Sequence, residues 1–173
     1  EPSEKLVNVL YENTGNGHFK DITEASGASD SRYSVGVTTG DYNNDGFVDL
    51  YVTNLGRNTL LRNMGDGTFT DVTKHSGVGE TSFSICAEFA DLDGDGDLDL
   101  FVTNYLDWTP EVVSDCRSPN FERRDYCGPI NYIDADKAIS DTLYFNNGDG
   151  TFRDVTVSSG INQKVGTGMG VGI

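Results

Sequence analysis

Positive charge is scarce in this chain. Twelve Lys and Arg residues stand against 28 Asp and Glu, a formal net charge of −16. That argues against a nucleic-acid binder, whose surface must present basic patches to phosphates, and against an anionic membrane surface. No apolar run approaches the roughly 18 residues of a membrane-crossing helix, and the first residues do not read as a signal peptide. Histidine occurs only as His18 and His75. No G-x-S-x-G elbow and no P-loop occurs, so the chain is expected not to be an enzyme. No N-x-[ST] sequon occurs, so ordinary N-glycosylation is not expected. Proline is limited to 4 positions and cysteine to 3. The chain begins EPSEK without a methionine, as a processed product or a portion of something longer would.

What is present is glycine, 21 residues of it, and short segments rich in Val, Ile, Tyr and Phe separated by Gly, Asn and Asp. This is an all-β pattern, in a chain long enough for one ordinary packed domain. The pattern repeats. Asn13-Thr-Gly-Asn-Gly-His-Phe19 returns as Asn63-Met-Gly-Asp-Gly-Thr-Phe69 and as Asn146-Asn-Gly-Asp-Gly-Thr-Phe152. Each is followed by KDITEASG, TDVTKHSG or RDVTVSSG, ending at Gly27, Gly77 and Gly160. The first offset is 50 residues and the second 83, so 33 extra residues separate Asn104 from Asp141. His18 and His75 fall at positions that differ between copies, which places them on the solvated surface.

Each copy reads as four short strands: SVGVTTGD, DLYVTN, NTLLRN and TFTDVT in the first full one. The glycine turns carry an Asp-Gly hairpin signal and are expected to close hairpins without doing chemistry. Four-stranded antiparallel units at this period predict β-propeller blades, a partial propeller with about eleven strands, or alternatively a linear stack of small sheets. The expected division of the 1–173 repeat region is a partial blade over 5–27 and full blades over 28–77 and 78–160. Residues 161–173 would be the first strand of a further blade, and residues 5 to 12 the third strand of the partial one. Open strand edges at both ends would invite pairing with other copies of the chain, as in a filament.

Two loops carry most of the charge. ADLDGDGDLDL, residues 90 to 100, puts aspartates at 91, 93, 95, 97 and 99. Two unit charges about 5 Å apart repel by roughly 3 kcal/mol at an effective dielectric near 20, so a compact loop of this kind calls for a cation. Aligned with it, positions 1, 3, 5 and 9 are Asp41, Asn43, Asp45 and Asp49 in loop 41–49, and Asp91, Asp93, Asp95 and Asp99 in loop 91–99. Position 6 is Gly46 or Gly96. Position 7, Phe47 or Asp97, offers its backbone carbonyl, with the Asp97 side chain expected to face solvent. Calcium takes six to eight oxygens of these kinds; magnesium keeps more waters, and zinc prefers His or Cys. Two bound calcium ions, +4 in total, would bring −16 to −12.

The loops begin like an EF-hand, but position 12 is Val52 or Val102 rather than Glu, and no helix pattern flanks them. The form D-x-[DN]-x-D-G-x-x-D between two strands resembles the FG-GAP or VCBS repeat, as in the propeller of integrin α-chains. That resemblance implies a propeller fold and calcium in both loops.

Residues 105–140 interrupt the repeat. They hold Pro110, Pro119, Pro129, the sole tryptophan, Trp108, and Cys116 and Cys127. In an extracellular setting those two cysteines would close a disulfide loop worth roughly 2 to 4 kcal/mol; two reduced thiols are the alternative. Cys86, on a repeat strand, reads as a free, buried thiol. Arg123, Arg124, Trp108, Tyr126 and Tyr132 could form a ligand surface or could pack locally around the cysteines. The order Asn104-Tyr-Leu-Asp107, Cys116, then Arg123-Arg-Asp-Tyr-Cys127-Gly-Pro, is similar to that of the acidic secreted family related to cartilage acidic protein. That resemblance implies secretion, calcium binding and a paired Cys116 and Cys127, with adhesion or matrix interaction as the role. The expected function is therefore a calcium-stabilised extracellular structural or adhesion module. A carbohydrate-binding propeller module and a self-assembling filament protomer are the alternatives, with a protein or glycan ligand as partner.

Overall fold

The computed structural model describes residues 7–107, 138–166 and 168–172. Among the described residues, ten strands run in antiparallel meanders. β3 (Tyr33–Gly40), β4 (Asp49–Leu55), β5 (Thr59–Asn63) and β6 (Phe69–Asp71) pair in order as one four-stranded unit. β7 (Phe83–Ala90), β8 (Asp99–Leu106), β9 (Thr142–Asn146) and β10 (Phe152–Asp154) form the next. Before them, β1 (Tyr11–Gly15) and β2 (His18–Asp21) make a separate hairpin, the outer half of a preceding unit. The two full units join through the register pair Leu55↔Phe83, with the Gly56 and Asn58 amides donating to Ser82 O and Glu80 O at 3.1 Å each and Thr53 Oγ1 donating to Ile85 O at 3.1 Å. This is an all-β, partial β-propeller-like fold.

β1 begins at Tyr11, later than the 5–12 span the sequence predicts. The reason lies in pairing. In the full units the early residues of the third strand are held by the second strand, as Thr59 is by Val52; among the described residues nothing plays that part for residues 7–10. The described residues of 161–173 also depart from the strand expected there. Ile161–Gln163 is a 3-10 turn and 168–172 have no ladder. The Gly168 amide nonetheless donates to Asn104 O at 3.0 Å, and a Cβ on Gly168 would lie 2.9 Å from Thr103. Gly168 follows Ile85 by the repeat offset of 83 and lies beside Thr103, the counterpart of the Thr53 that Ile85 meets.

The core lies between the two full units. Tyr51, Leu60, Leu100 and Val102 are fully buried there, with Tyr42, Val78, Ala87, Phe89, Tyr144 and Phe152 around them. The rings of Tyr51 and Phe89 meet edge to face at 6.4 Å. The Tyr51 hydroxyl donates to Val78 O at 2.8 Å, which satisfies a polar group that burial would otherwise penalise. On β3 the outward residues Tyr33 and Val37 are exposed, whereas Ala87, the β7 counterpart of Val37, is packed by the unit before it.

The KDIT, TDVT and RDVT motifs have a shared local cause. Asp21, Asp71 and Asp154 each accept the amide of the Thr two residues on, and the hydroxyls of Thr23, Thr73 and Thr156 accept the amides of Leu10, Leu60 and Leu143. One helical turn follows in each, α1 (Thr23–Ser26), α2 (Thr73–Ser76) and α3 (Thr156–Ser159). Each ends on a left-handed glycine, Gly27, Gly77 or Gly160.

The closeness of the two units rests on Gly36. A Cβ there would sit 2.7 Å from Ile85 O and 2.9 Å from Thr53 Oγ1. Gly36→Ala is therefore expected to push the units apart and to cost about 1–3 kcal/mol in urea denaturation. An unchanged midpoint would show that the contact is not close in solution.

Candidate metal centre

Both acidic loops leave a first strand and return at the start of a second. Their sharpest bends use left-handed backbone: Asn44 or Gly94 at position 4 and Gly46 or Gly96 at position 6. Asn is among the few side chains that visit this region at small cost. The position 1 carboxylate organises the turn. Asp41 accepts the amides of Asp45 (3.0 Å) and Gly46 (2.8 Å); Asp91 accepts those of Gly94 (2.8 Å) and Gly96 (3.2 Å).

Position 9 ties the loop to the sheet. Asp49 and Asp99 are buried at the first residues of β4 and β8. Asp99 Oδ2 accepts the Leu92 amide at 2.9 Å and Oδ1 that of Asn146 at 2.9 Å. Asp49 does the same with Tyr42 (3.3 Å) and Asn63 (2.8 Å). Burial pushes the Asp49 carboxyl up to about 6; the two amides oppose this, and nearby Asp45 and Asp41 add to it.

In loop 91–99, carboxylate oxygens of Asp91, Asp93 and Asp99 lie within 4.8 Å of one another. Partial desolvation and the neighbouring Asp95, Asp99 and Asp91 raise the Asp93 pKa. Among the described residues no basic side chain pairs with these groups, and the donor set, all carboxylate oxygen, suits a hard divalent cation. Asp95 accepts the Asp97 amide at 2.9 Å and stands outside the trio.

Loop 41–49 is arranged differently. Asn43 Oδ1 accepts the Asp45 amide, and its Nδ2 donates to Asp45 Oδ2 at 3.0 Å. Arg62, on β5, donates from Nη2 to the same Oδ2 at 2.9 Å. Desolvation works against the charge on Asp45, but the Arg62 guanidinium, the Phe47 amide and Asn43 outweigh it and lower its pKa. Among the described residues, Asp41, Asp45 and Asp49 do not converge as the other three carboxylates do. The Phe47 ring lies over the next hairpin, where a Cβ on Gly65 would meet it at 2.5 Å.

The loops touch each other. Asn44 Nδ2 donates to Asp97 Oδ1 at 2.6 Å in an exposed hydrogen bond, so the Asp97 carboxylate, expected only to face solvent, also reaches the neighbouring loop. Adjacent units set the loops side by side, and this explains the difference from expectation. Asn146 adds a second tie, its Nδ2 donating to Tyr42 O (2.7 Å) and Leu98 O (3.0 Å). Asn63 repeats part of this grip on Val48 O at 3.1 Å. The hairpin asparagines, expected only to close turns, also hold the loops.

A second carboxylate pair recurs behind the loops. Asp30 accepts from Thr59 and Asn54, and Glu80 from Thr142, Ser84, Asn104 and Asn58. Burial pushes Asp30 up, but the Thr59 hydroxyl, the Arg32 amide and guanidinium and Asn54 bring its pKa below the usual value. Burial dominates at Glu80 and raises it. His18 and His75 are exposed, and Cys86 is a half-buried free thiol rather than a fully buried one. Cys116, Cys127, Trp108, Arg123, Arg124, Tyr126 and Tyr132 lie outside the described residues.

The family model for the FG-GAP-like repeat matches residues 4–52 and again 41–102. No curated protein matches the chain in sequence. No helix among the described residues is long and apolar enough to cross a membrane.

Proposed function

Because the chain belongs to the FG-GAP-like repeat family, a kind of repeat typical of extracellular or surface proteins, we propose that it is a calcium-binding module of that class. In it, ions stiffen the connections between strands and hold a rigid surface for adhesion to a protein or glycan partner. The observation that carries this reading is the convergence of Asp91, Asp93 and Asp99 in a loop with no basic residue paired to it among the described residues. Asp91, Asp93, Asp95 and Asp99, with the Asp97 carbonyl, would hold one ion. Asp41, Asn43, Asp45 and Asp49, with the Phe47 carbonyl, would hold the other. The ion would supply charge neutralisation alone; the chain's own residues shape each loop and tie it to the sheet. Its binding free energy then adds to folding free energy. No catalytic role is assigned. The order of residues in the insertion further supports, from sequence alone, a place near the secreted group related to cartilage acidic protein.

The test is competition between chelator-stripped protein and a chromophoric calcium indicator. Calcium uptake that falls on Asp91→Ala and Asp93→Ala is expected. No uptake up to millimolar calcium would refute the assignment.

A further inference from the structure

We propose that Arg62 is a resident cation of loop 41–49, which makes the two loops unequal: loop 91–99 takes calcium tightly, and loop 41–49 takes it weakly because Arg62 must first leave Asp45. This rests on the calcium reading above and deepens it.

The two loops share a fold and a spacing, so their differences can be compared position by position. Position 3 is Asn43 in one and Asp93 in the other. The ligand positions therefore carry three carboxylates in loop 41–49 and four in loop 91–99. The guanidinium offsets one of the three, since Arg62 Nη2 stands 2.9 Å from Asp45 Oδ2. The residue at the same place in the next unit, just before the hairpin asparagine, is Phe145, which has no charge to offer. Pre-gathering follows the same division: Asp91, Asp93 and Asp99 converge, and the three carboxylates of the other loop do not.

The ion pair is built to be displaced. Only Nη2 reaches the carboxylate, Nε is buried without a partner, and the Arg62 side chain is 42% exposed. A single-pronged, partly solvated pair of this kind is weak, whereas a divalent ion brings twice the charge and accepts several oxygens. Arg62 thus keeps loop 41–49 closed at low calcium and tunes the concentration at which it loads. The Asn44–Asp97 hydrogen bond and the Asn146 tie place the second loading event beside the first.

Calorimetric calcium titration of the whole chain tests this. The unaltered protein should show a tight event, abolished by Asp91→Ala, and a weaker one, abolished by Asp41→Ala. On the Asp91→Ala background, Arg62→Met, which keeps the aliphatic stem, should strengthen the remaining event about three- to fivefold, equivalent to under about 1 kcal/mol. Phe145→Arg should weaken the tight event by a similar factor, and it decides the matter if Arg62→Met does not fold by circular dichroism. Two events of equal affinity, or affinities unmoved by these substitutions, would overturn the role of Arg62 while leaving the calcium reading intact. An absence of calcium binding in every variant would instead defeat the calcium reading.

Discussion

Asp99→Ala is expected to destabilise the metal-free protein by about 2–4 kcal/mol and to abolish metal binding in loop 91–99. The carboxylate is 1% exposed and accepts two backbone amides, Leu92 from the loop and Asn146 from β9. Alanine leaves both donors in a buried site without a partner, at about 1–3 kcal/mol each, partly relieved by local opening. It also frees the loop from the sheet and removes one of the three converging oxygens. Asp99→Asn, which preserves the shape and one acceptor, should fall between. Urea denaturation in chelator and in calcium measures both effects at once. The stability gap between the two conditions, wide in the unaltered protein, should narrow in Asp99→Ala. A metal-free midpoint equal to that of the unaltered protein would mean that the buried stitch is not formed.

Glu80→Ala is the second large expectation, about 2–3 kcal/mol. Glu80 joins Asn58 of one unit to Asn104 and Thr142 of the next, with Ser84 between them. Its removal leaves the Thr142 hydroxyl without its acceptor and takes one of two or more acceptors from Asn58, Ser84 and Asn104, all at the boundary between the units. The same group contributes a pH dependence whose sign can be checked. Burial raises the pKa of Glu80, and it lifts Asp49 to about 6 from an ordinary 3.8. Such carboxyls take up protons in the folded state before the unfolded one does. On their account, metal-free stability rises as pH falls from 7 through about 6, and it levels off below the ordinary carboxylate values. Asp30, whose pKa is lowered, acts in the opposite sense: its contribution is full above 3.8 and is lost as pH falls through its folded value. Denaturation in chelator at pH 7 and pH 5 should show the rise, with a smaller one in Glu80→Gln. A fall in stability over that range would contradict the burial of these two groups.

The parts of this structure legible in sequence are those that repeat. The four-strand unit, the acidic loops between first and second strands and the hairpin turns all follow from local chemistry that recurs at a fixed offset. A register written three times leaves little freedom. The missed features are contacts between copies. That Asp97 would reach Asn44 depends on how two units sit side by side, a relation no single repeat encodes. Arg62 reads in sequence as an ordinary strand residue, and only β5 brings it beside Asp45; its counterpart Phe145 is the available signal, since a charge present in one copy and absent from the other marks a local difference. Asp30 and Glu80 also recur at the offset of 50, but neither stands in a motif, and their partners lie across the sheet. The late start of β1 and the missing ladder at 168–172 have one cause: strand pairing needs a neighbour that the pattern of one strand does not supply.

The most direct test of the central claim is thermal unfolding of the chelator-stripped protein alone, with calcium and with magnesium, beside Asp41→Ala and Asp91→Ala. The account predicts that calcium raises the midpoint by many degrees, that magnesium does much less, and that Asp91→Ala removes more of the gain than Asp41→Ala. Superimposable curves under all three conditions would contradict it, leaving the acidic loops as solvated turns and the net charge of −16 to be explained by a cationic partner.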